Sequence, residues 1–197
     1  MTAIRAFIAI ELPAEVRARL GELSEKLQRS LPPVIRWVPA NNIHLTLKFL
    51  GDTSPTNLEF LAKIMAAEAA RRSCFEFTIG GLGTFPSIRR PRVIWVGVQA
   101  PRELDHLQRA IEAEALRLGY SPDGRPFSPH LTLGRVNQNA SPEDVRKISD
   151  LILKYPHKNL GSVCVEQVVL FRSDLSQKGA TYVPLATAKM GKRLVEK

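Results

Sequence analysis

His44-Leu-Thr-Leu47 and His130-Leu-Thr-Leu133 are one tetrapeptide written twice in a chain of 197 residues. Working outward from each copy, the surroundings match as well. Before the first, Ile4 to Ile10 is β-rich and Pro13 opens a segment with Val16, Leu20, Leu23 and Leu27 at helical spacing. Before the second, Arg92-Val-Ile-Trp-Val-Gly-Val98 is β-rich and Pro101 opens a segment with Leu104, Leu107, Ile111 and Leu118 on one helical face. Pro13 precedes His44 by 31 positions, and Pro101 precedes His130 by 29. Downstream, Ser54-Pro55 and Ser141-Pro142 follow their histidines by 10 and 11 positions, each pairing a capping hydroxyl with a first-turn proline. The helices they open carry Leu58, Leu61 and Met65 in one case and Val145, Ile148, Ile152 and Tyr155 in the other. Strands follow near Phe75 to Ile79 and Val163 to Phe171.

This is the pattern of a diverged tandem duplication. Pseudo-repeats of about 1–90 and 91–187, each strand-helix-strand-helix-strand, join near Pro86-Ser-Ile-Arg-Arg-Pro-Arg92, read as an inter-lobe loop. Neither half reads as independent, so residues 1–197 are expected to form one domain. A long period that occurs only twice excludes a solenoid. The expected fold is α+β and bilobal, with two antiparallel sheets facing a central cleft and the helices outside. Residues 188–197, small, polar and basic, are expected to be a mobile tail.

Apolar residues at 44% and charged residues at 24% are ordinary for a globular domain and exclude collagen-like, coiled-coil and disordered classes. Lys and Arg exceed Asp and Glu by 28 to 19, a net charge of +9 that favours a polyanionic partner, nucleic acid or a phosphorylated ligand. Cys74 and Cys164 stand 90 positions apart without clustered histidines, so neither a disulfide framework nor a metal site is expected. The apolar N-terminus runs straight into Glu11-Leu-Pro13 without a cleavage-site pattern and reads as a strand rather than a signal peptide. No run approaches the roughly 18 apolar residues a membrane span needs. A cytoplasmic monomer without a membrane partner is the expectation.

Alternation along a strand puts His44 and Thr46 on one face and Leu45 and Leu47 on the other, and likewise His130 and Thr132 against Leu131 and Leu133. The leucines face the helices. An imidazole and a hydroxyl, roughly 7 Å apart along each strand, then point away from the core. A two-fold axis between the halves brings both polar faces into one cleft. Two imidazoles across a cleft suit phosphodiester chemistry, in which one oxygen loses a proton while another, on the opposite side of phosphorus, gains one. Histidine titrates near neutrality, and each transfer contributes ~10²–10⁴-fold. The threonine hydroxyls are candidate donors to the non-bridging oxygens. Lys48 shares the parity of His44 and Thr46 and joins the candidate substrate contacts. Arg135 has the opposite parity, but Gly134 before it can re-aim the chain, which keeps it among them. His106 and His157 have no counterpart in the other half and read as surface residues.

The paired His-x-Thr-Leu motifs, together with Arg5-Ala-Phe-Ile-Ala-Ile-Glu-Leu-Pro13, Ile43-His-Leu-Thr-Leu-Lys-Phe-Leu-Gly51, Pro126-Phe-Ser-Pro-His-Leu-Thr-Leu-Gly-Arg135 and the Ser173 to Leu185 stretch, resemble the 2H phosphoesterases. The branch is that of the RNA 2',3'-cyclic phosphodiesterases, also called 2'-5' RNA ligases. The resemblance implies a bilobal fold and metal-independent, cofactor-free opening of a terminal 2',3'-cyclic phosphate on RNA to a 2'-phosphate, with reverse joining to a 2'-5' linkage as a second activity. It also implies that His44 gives a proton to the leaving ribose 3' oxygen, that His130 takes one from water, and that Thr46, Thr132 and Arg135 hold phosphate. Symmetry alone does not divide the two histidine roles.

Phe127, just before His130, is a candidate platform for a nucleobase, against the plainer role of a core phenylalanine. Arg89, Arg90 and Arg92, and Arg36 with Trp37, are basic or aromatic elements that either follow an RNA backbone or are ordinary exposed positions. Two other functions compete with RNA-end hydrolysis. One is a phosphodiesterase for small cyclic nucleotides or 2'-5' oligoadenylates. The other is a non-catalytic RNA-binding module.

Overall fold

The computed structural model describes residues 3–155, 158–176 and 179–191. Along the chain run β1 (Ile4–Glu11), α1 (Ala14–Ser30), β2 (Ile35–Trp37), a 3-10 turn (Ala40–Asn42), β3 (His44–Thr53), α2 (Pro55–Ala70), β4 (Phe75–Ser87), β5 (Arg90–Gln99), α3 (Arg102–Arg117), β6 (His130–Val136), α4 (Pro142–Lys154), β7 (Asn159–Val165), β8 (Gln167–Ser176) and β9 (Gly179–Lys189). The helices begin where the sequence places their signals. Ser54 Oγ accepts from the Asn57 amide at 3.2 Å, and Ser141 and Asp144 form a reciprocal capping box at 3.1 and 3.0 Å. α1 stops before Pro32-Pro33, which disfavour continued helix. No helix among the described residues is long and apolar enough to cross a membrane.

Two four-stranded antiparallel sheets, β7-β4-β5-β6 and β3-β1-β8-β9, meet edge to edge at a single pair, Leu45 opposite Leu131. β2 adds to the far end of β6, with Arg36 opposite Arg135. The predicted apolar stripes all face one side of this surface. Val16, Leu20, Leu23 and Leu27 of α1, Leu58, Leu61 and Met65 of α2, Leu104, Leu107 and Ile111 of α3, and Ile148 and Ile152 of α4 are buried in one continuous core with the strand leucines. A second, smaller cluster lies on the other face of the β3-β1-β8-β9 sheet: Phe7, Ala9, Val169 and Phe171, covered by Tyr182.

The sequence repeats and the spatial sheets do not coincide. The last strand of the first repeat, β4, pairs with β5 and β7 of the second. In return β8, from the second repeat, pairs with β1 of the first. Each half therefore lends the other strands, β2 and β4 from the first and β8 and β9 from the second, and neither sheet closes without both. The Pro86–Arg92 segment is accordingly a hairpin between β4 and β5 inside one sheet, with Ser87 opposite Arg90, rather than a loop between lobes. The strand expected near Val163 to Phe171 is two strands, β7 and β8, and β2 and β9 were not anticipated. The start of the expected tail is also structured: Ala188 is buried, Met190 donates to the Glu166 carbonyl, and Gly191 donates to Ala69 and Arg72. Residues 192–197 and His157 lie outside the described residues. His106 is exposed on α3.

Candidate functional site

Each histidine opens its strand, and each ring is held by the backbone two residues earlier. His44 Nδ1 lies 2.8 Å from the Asn42 carbonyl, and His130 Nδ1 lies 2.7 Å from the Ser128 carbonyl. A carbonyl only accepts, so Nδ1 carries the proton in both rings and Nε2 holds the lone pair when the ring is neutral. Asn42 is itself tied across the molecule, its Nδ2 donating to the Ala180 carbonyl of β9 at 2.7 Å.

The Leu45–Leu131 pair fixes what stands beside what. One antiparallel step to either side sets His44 alongside Thr132 and Thr46 alongside His130, on the face opposite the leucines. The two imidazoles are then diagonal neighbours, a relation that places side chains roughly 7–8 Å apart in an antiparallel ladder. Both histidines and both threonines line one cleft of about 640 Å³. Three guanidinium groups, Arg5, Arg36 and Arg135, line it too, and among the described residues no carboxylate does.

Two β-bulges decide which neighbours join this cleft. Against β1, Ala9 pairs with Thr46 and Ile8 with Lys48, so Leu47 is the extra residue. Against β5, Trp95 pairs with Thr132 and Ile94 with Gly134, so Leu133 is the extra residue. An extra residue inverts the alternation beyond it. Arg135 consequently turns into the cleft, and its counterpart in the first repeat is Phe49, not Lys48. The parity reading of Lys48 is corrected on this ground. Its side chain lies on the helix side, 1% exposed, with Nζ donating to Glu112 Oε1 at 2.7 Å, the Ser121 carbonyl at 2.8 Å and Asp123 Oδ1 at 3.3 Å. Gln108 Nε2 meets the carbonyl of the bulged Leu47 from the same side at 3.4 Å. Phe127 is corrected likewise. It packs against the core beside Glu112 and Asp123, outside the histidine cleft, because the loop from α3 to β6 runs down the helix side.

Aromatic rings crowd both imidazoles. Phe7 stacks on His44 with centroids 4.8 Å apart, and Tyr182 meets the same ring edge-on at 5.2 Å. Phe85 stands edge-on to His130 at 4.8 Å, and Trp95 lies 6.4 Å away. Desolvation by this cage disfavours the charged form of His44 and lowers its pKa to about 4. The Asn42 carbonyl opposes that shift, and the nearby His130 adds to it. His130 is also lowered, first by burial, against the pull of the Ser128 carbonyl, and further by Arg135. Burial pushes the Tyr182 hydroxyl up, while Arg135, Arg36 and Arg5 pull it down, so the three cations surround this ring. Both histidines are neutral at pH 7 in the unliganded protein, ready to accept a proton at Nε2. Donation requires an anion in the cleft to offset the cost of burial and raise one imidazole. Among the described residues no group of three His, Cys, Asp or Glu side chains is arranged to hold a metal ion.

Arg5, Phe7, Arg36, Asn42, Phe49 and Tyr182 enter the cleft without having been chosen from sequence as site residues. Arg36 carried a usable signal, because a β-rich Val34 to Val38 between prolines reads as a short strand. Arg5 and Tyr182 lie within stretches that carry the family resemblance.

The LigT like phosphoesterase family model matches the chain twice, over residues 10–95 and 96–182. An RNA 2',3'-cyclic phosphodiesterase of Methanothermobacter thermautotrophicus is 32% identical over 187 residues, covering 95% of this chain and 99% of that protein. One from Escherichia coli is 32% identical over 182 residues, covering 92% and 93%. The crystal structure of E. coli LigT complexed with 3'-AMP superposes with a TM-score of 0.75 at 31% identity, covering 95% of this chain and 98% of that one. Two family-model matches laid end to end, on a fold that pairs the two His-x-Thr strands, make this chain a member of the LigT-like phosphoesterases.

Proposed function

We propose that the protein hydrolyses the 2',3'-cyclic phosphate end of RNA to a 2'-phosphomonoester, using His44 and His130 as acid and base. The observation that carries this reading is the matched pair of imidazoles. Each has Nδ1 committed to a carbonyl, and both border one carboxylate-free cleft with two threonines and three arginines. The activity named for the relatives is the same, and their identity extends over nearly the whole chain.

In the reaction, water attacks phosphorus and loses a proton to His130 Nε2 as the new P–O bond forms. The bond from phosphorus to the 3' oxygen breaks, and His44 gives that oxygen its proton. Thr46 and Thr132 donate to the non-bridging oxygens, and Arg135 stabilises the charge that builds there. His44 enters the cycle neutral and gains its proton as the anionic substrate arrives, whose charge offsets the burial that holds its pKa near 4. With the 5'-hydroxyl end of a second RNA attacking phosphorus in place of water, the same two transfers break the bond to the 3' oxygen and join the RNAs through a 2'-5' bond. The cleft is complete within one chain, which supports action as a monomer, and the sparse cysteines suit a reducing cytosol.

The test is turnover of a defined oligoribonucleotide with a cyclic end, in the presence of chelator, with the retained phosphate mapped to the 2' or 3' oxygen. His44→Ala and His130→Ala are each expected to lower kcat by at least ~10²-fold with the fold intact. Salt-sensitive binding without product would overturn the catalytic reading in favour of an RNA-binding module.

A further inference from the structure

The histidine cleft continues into a second, more open depression of about 510 Å³, and the two share Arg36, Val93 and Arg135. Beyond the shared residues the second depression is lined by Arg92, Val136, Asn137 and Gln138, so among the described residues it too contains no carboxylate. Its cations are ordered by the sheet. Arg36 on β2 pairs with Arg135 on β6, which pairs with Val93 on β5, the neighbour of Arg92. Adjacent strands lie about 4.8 Å apart, so the row from Arg36 to Arg92 crosses roughly 10 Å of surface. Like charges directly opposite each other are destabilising in a sheet. Among the described residues neither Arg36 nor Arg135 forms an ion pair that would relieve this. Arg92 is anchored by a bond from Nη1 to the Asn137 carbonyl at 3.2 Å, which holds its guanidinium at the end of the row. Among the described residues, the opposite wall of the cleft is built by Ser173, Leu175, Ala180 and Tyr182, with no cation.

Resting on the reading that the cleft takes a cyclic RNA end, we infer that this depression is a second phosphate subsite. It binds the internal phosphodiester on the 5' side of the terminal nucleotide, so the RNA leaves the cleft across β2, β6 and β5 rather than over β8 and β9. The terminal phosphate occupies the histidines and threonines, Arg36 and Arg135 stand between the two sites, and Arg92 with Gln138 receives the next phosphate.

The experiment compares kcat/KM for a 2',3'-cyclic mononucleotide with that for cyclic-ended di- and trinucleotides, across a series of salt concentrations. In the wild type, the first added internal phosphate is expected to raise kcat/KM about tenfold at low salt, with a steeper salt dependence. Arg92→Glu and Gln138→Glu are each expected to erase most of that oligomer-to-mononucleotide ratio and to flatten the salt slope by about one. Lys26→Glu on the exposed side of α1 makes the same charge change as Arg92→Glu elsewhere and is expected to leave the ratio unchanged. A wild-type ratio near one, or Arg92→Glu and Gln138→Glu lowering mononucleotide and oligomer equally, overturns the subsite while leaving cyclic-end hydrolysis standing. Absence of turnover on every cyclic substrate instead removes the reading on which it rests.

Discussion

Protonating His44 in the unliganded protein should cost stability, and the amount follows from its aromatic cage. Phe7 and Tyr182 press on a ring whose pKa falls from the ordinary 6.5 to about 4. The unfolded chain therefore binds a proton at His44 across a window in which the folded chain does not, and stability there rises with pH. The contribution is fully present above about pH 6.5, declines as pH falls toward 4, and has no further effect below that. A shift of this size corresponds to about 3 kcal/mol. The perturbation is His44→Gln, which keeps a polar group of similar length but does not titrate. Urea unfolding of both proteins between pH 4 and 7.5 should give stability curves that diverge by about 3 kcal/mol across the window, the wild type losing more toward acid. Sulfate supplies a second reading. It fills the cleft with an anion that does not itself titrate, so calorimetry at pH 5 to 6 in buffers of different ionisation enthalpy should show uptake of up to one proton on binding. Parallel stability curves together with sulfate binding without proton uptake would refute the account of a caged, substrate-charged acid.

The remaining expectations concern the parts that hold the site. Lys48→Met leaves Glu112 and Asp123 without their cation and should lower stability by about 3 kcal/mol, since removing one partner strands the others. Pairing it with Glu112→Leu should recover much of the loss in the same denaturation assay. A side chain at Gly134 would meet Ile35 Cγ2 at 2.8 Å, so Gly134→Ala should push β2 off β6. The expected cost is about 1–3 kcal/mol, with a higher KM as Arg36 moves with its strand. Ser141→Ala removes the hydroxyl half of the capping box and should cost about 1 kcal/mol in thermal or urea unfolding, with turnover unaffected. Arg135→Lys keeps the charge but loses the planar fork, and should reduce kcat more than it raises KM on a cyclic-ended RNA.

The duplicated plan was legible because divergence had left the same punctuation in both halves. Proline before the first helix of each half, Ser-Pro before the second, and leucines facing inward from each His-x-Thr strand all appear in the folded chain. Lys48 shows where such reading ends. Alternation is a property of an uninterrupted strand, and the extra residue at Leu47 is defined only by what lies across from it on β1. The same event at Leu133 turned Arg135 toward the cleft, and there Gly134 gave a local hint that the first copy lacks. Exchange of β4 and β8 was hidden for a related reason, because a strand's sequence records its two faces and not its edge partners. Tyr182 reaches His44 through that exchange: β8 pairs with β1 and carries β9 with it, and no periodicity within β9 points at a histidine far along the chain.

The loan of strands from each half to the other makes the catalyst a mutual enterprise. A chain severed at the Ile88–Arg89 turn would yield two fragments, each with a single His-x-Thr motif, the first lacking β8 and β9 beside β1 and the second lacking β4 between β7 and β5. Such fragments should be inert apart and regain turnover only when refolded together, as two halves of a clasp that fasten by threading through one another.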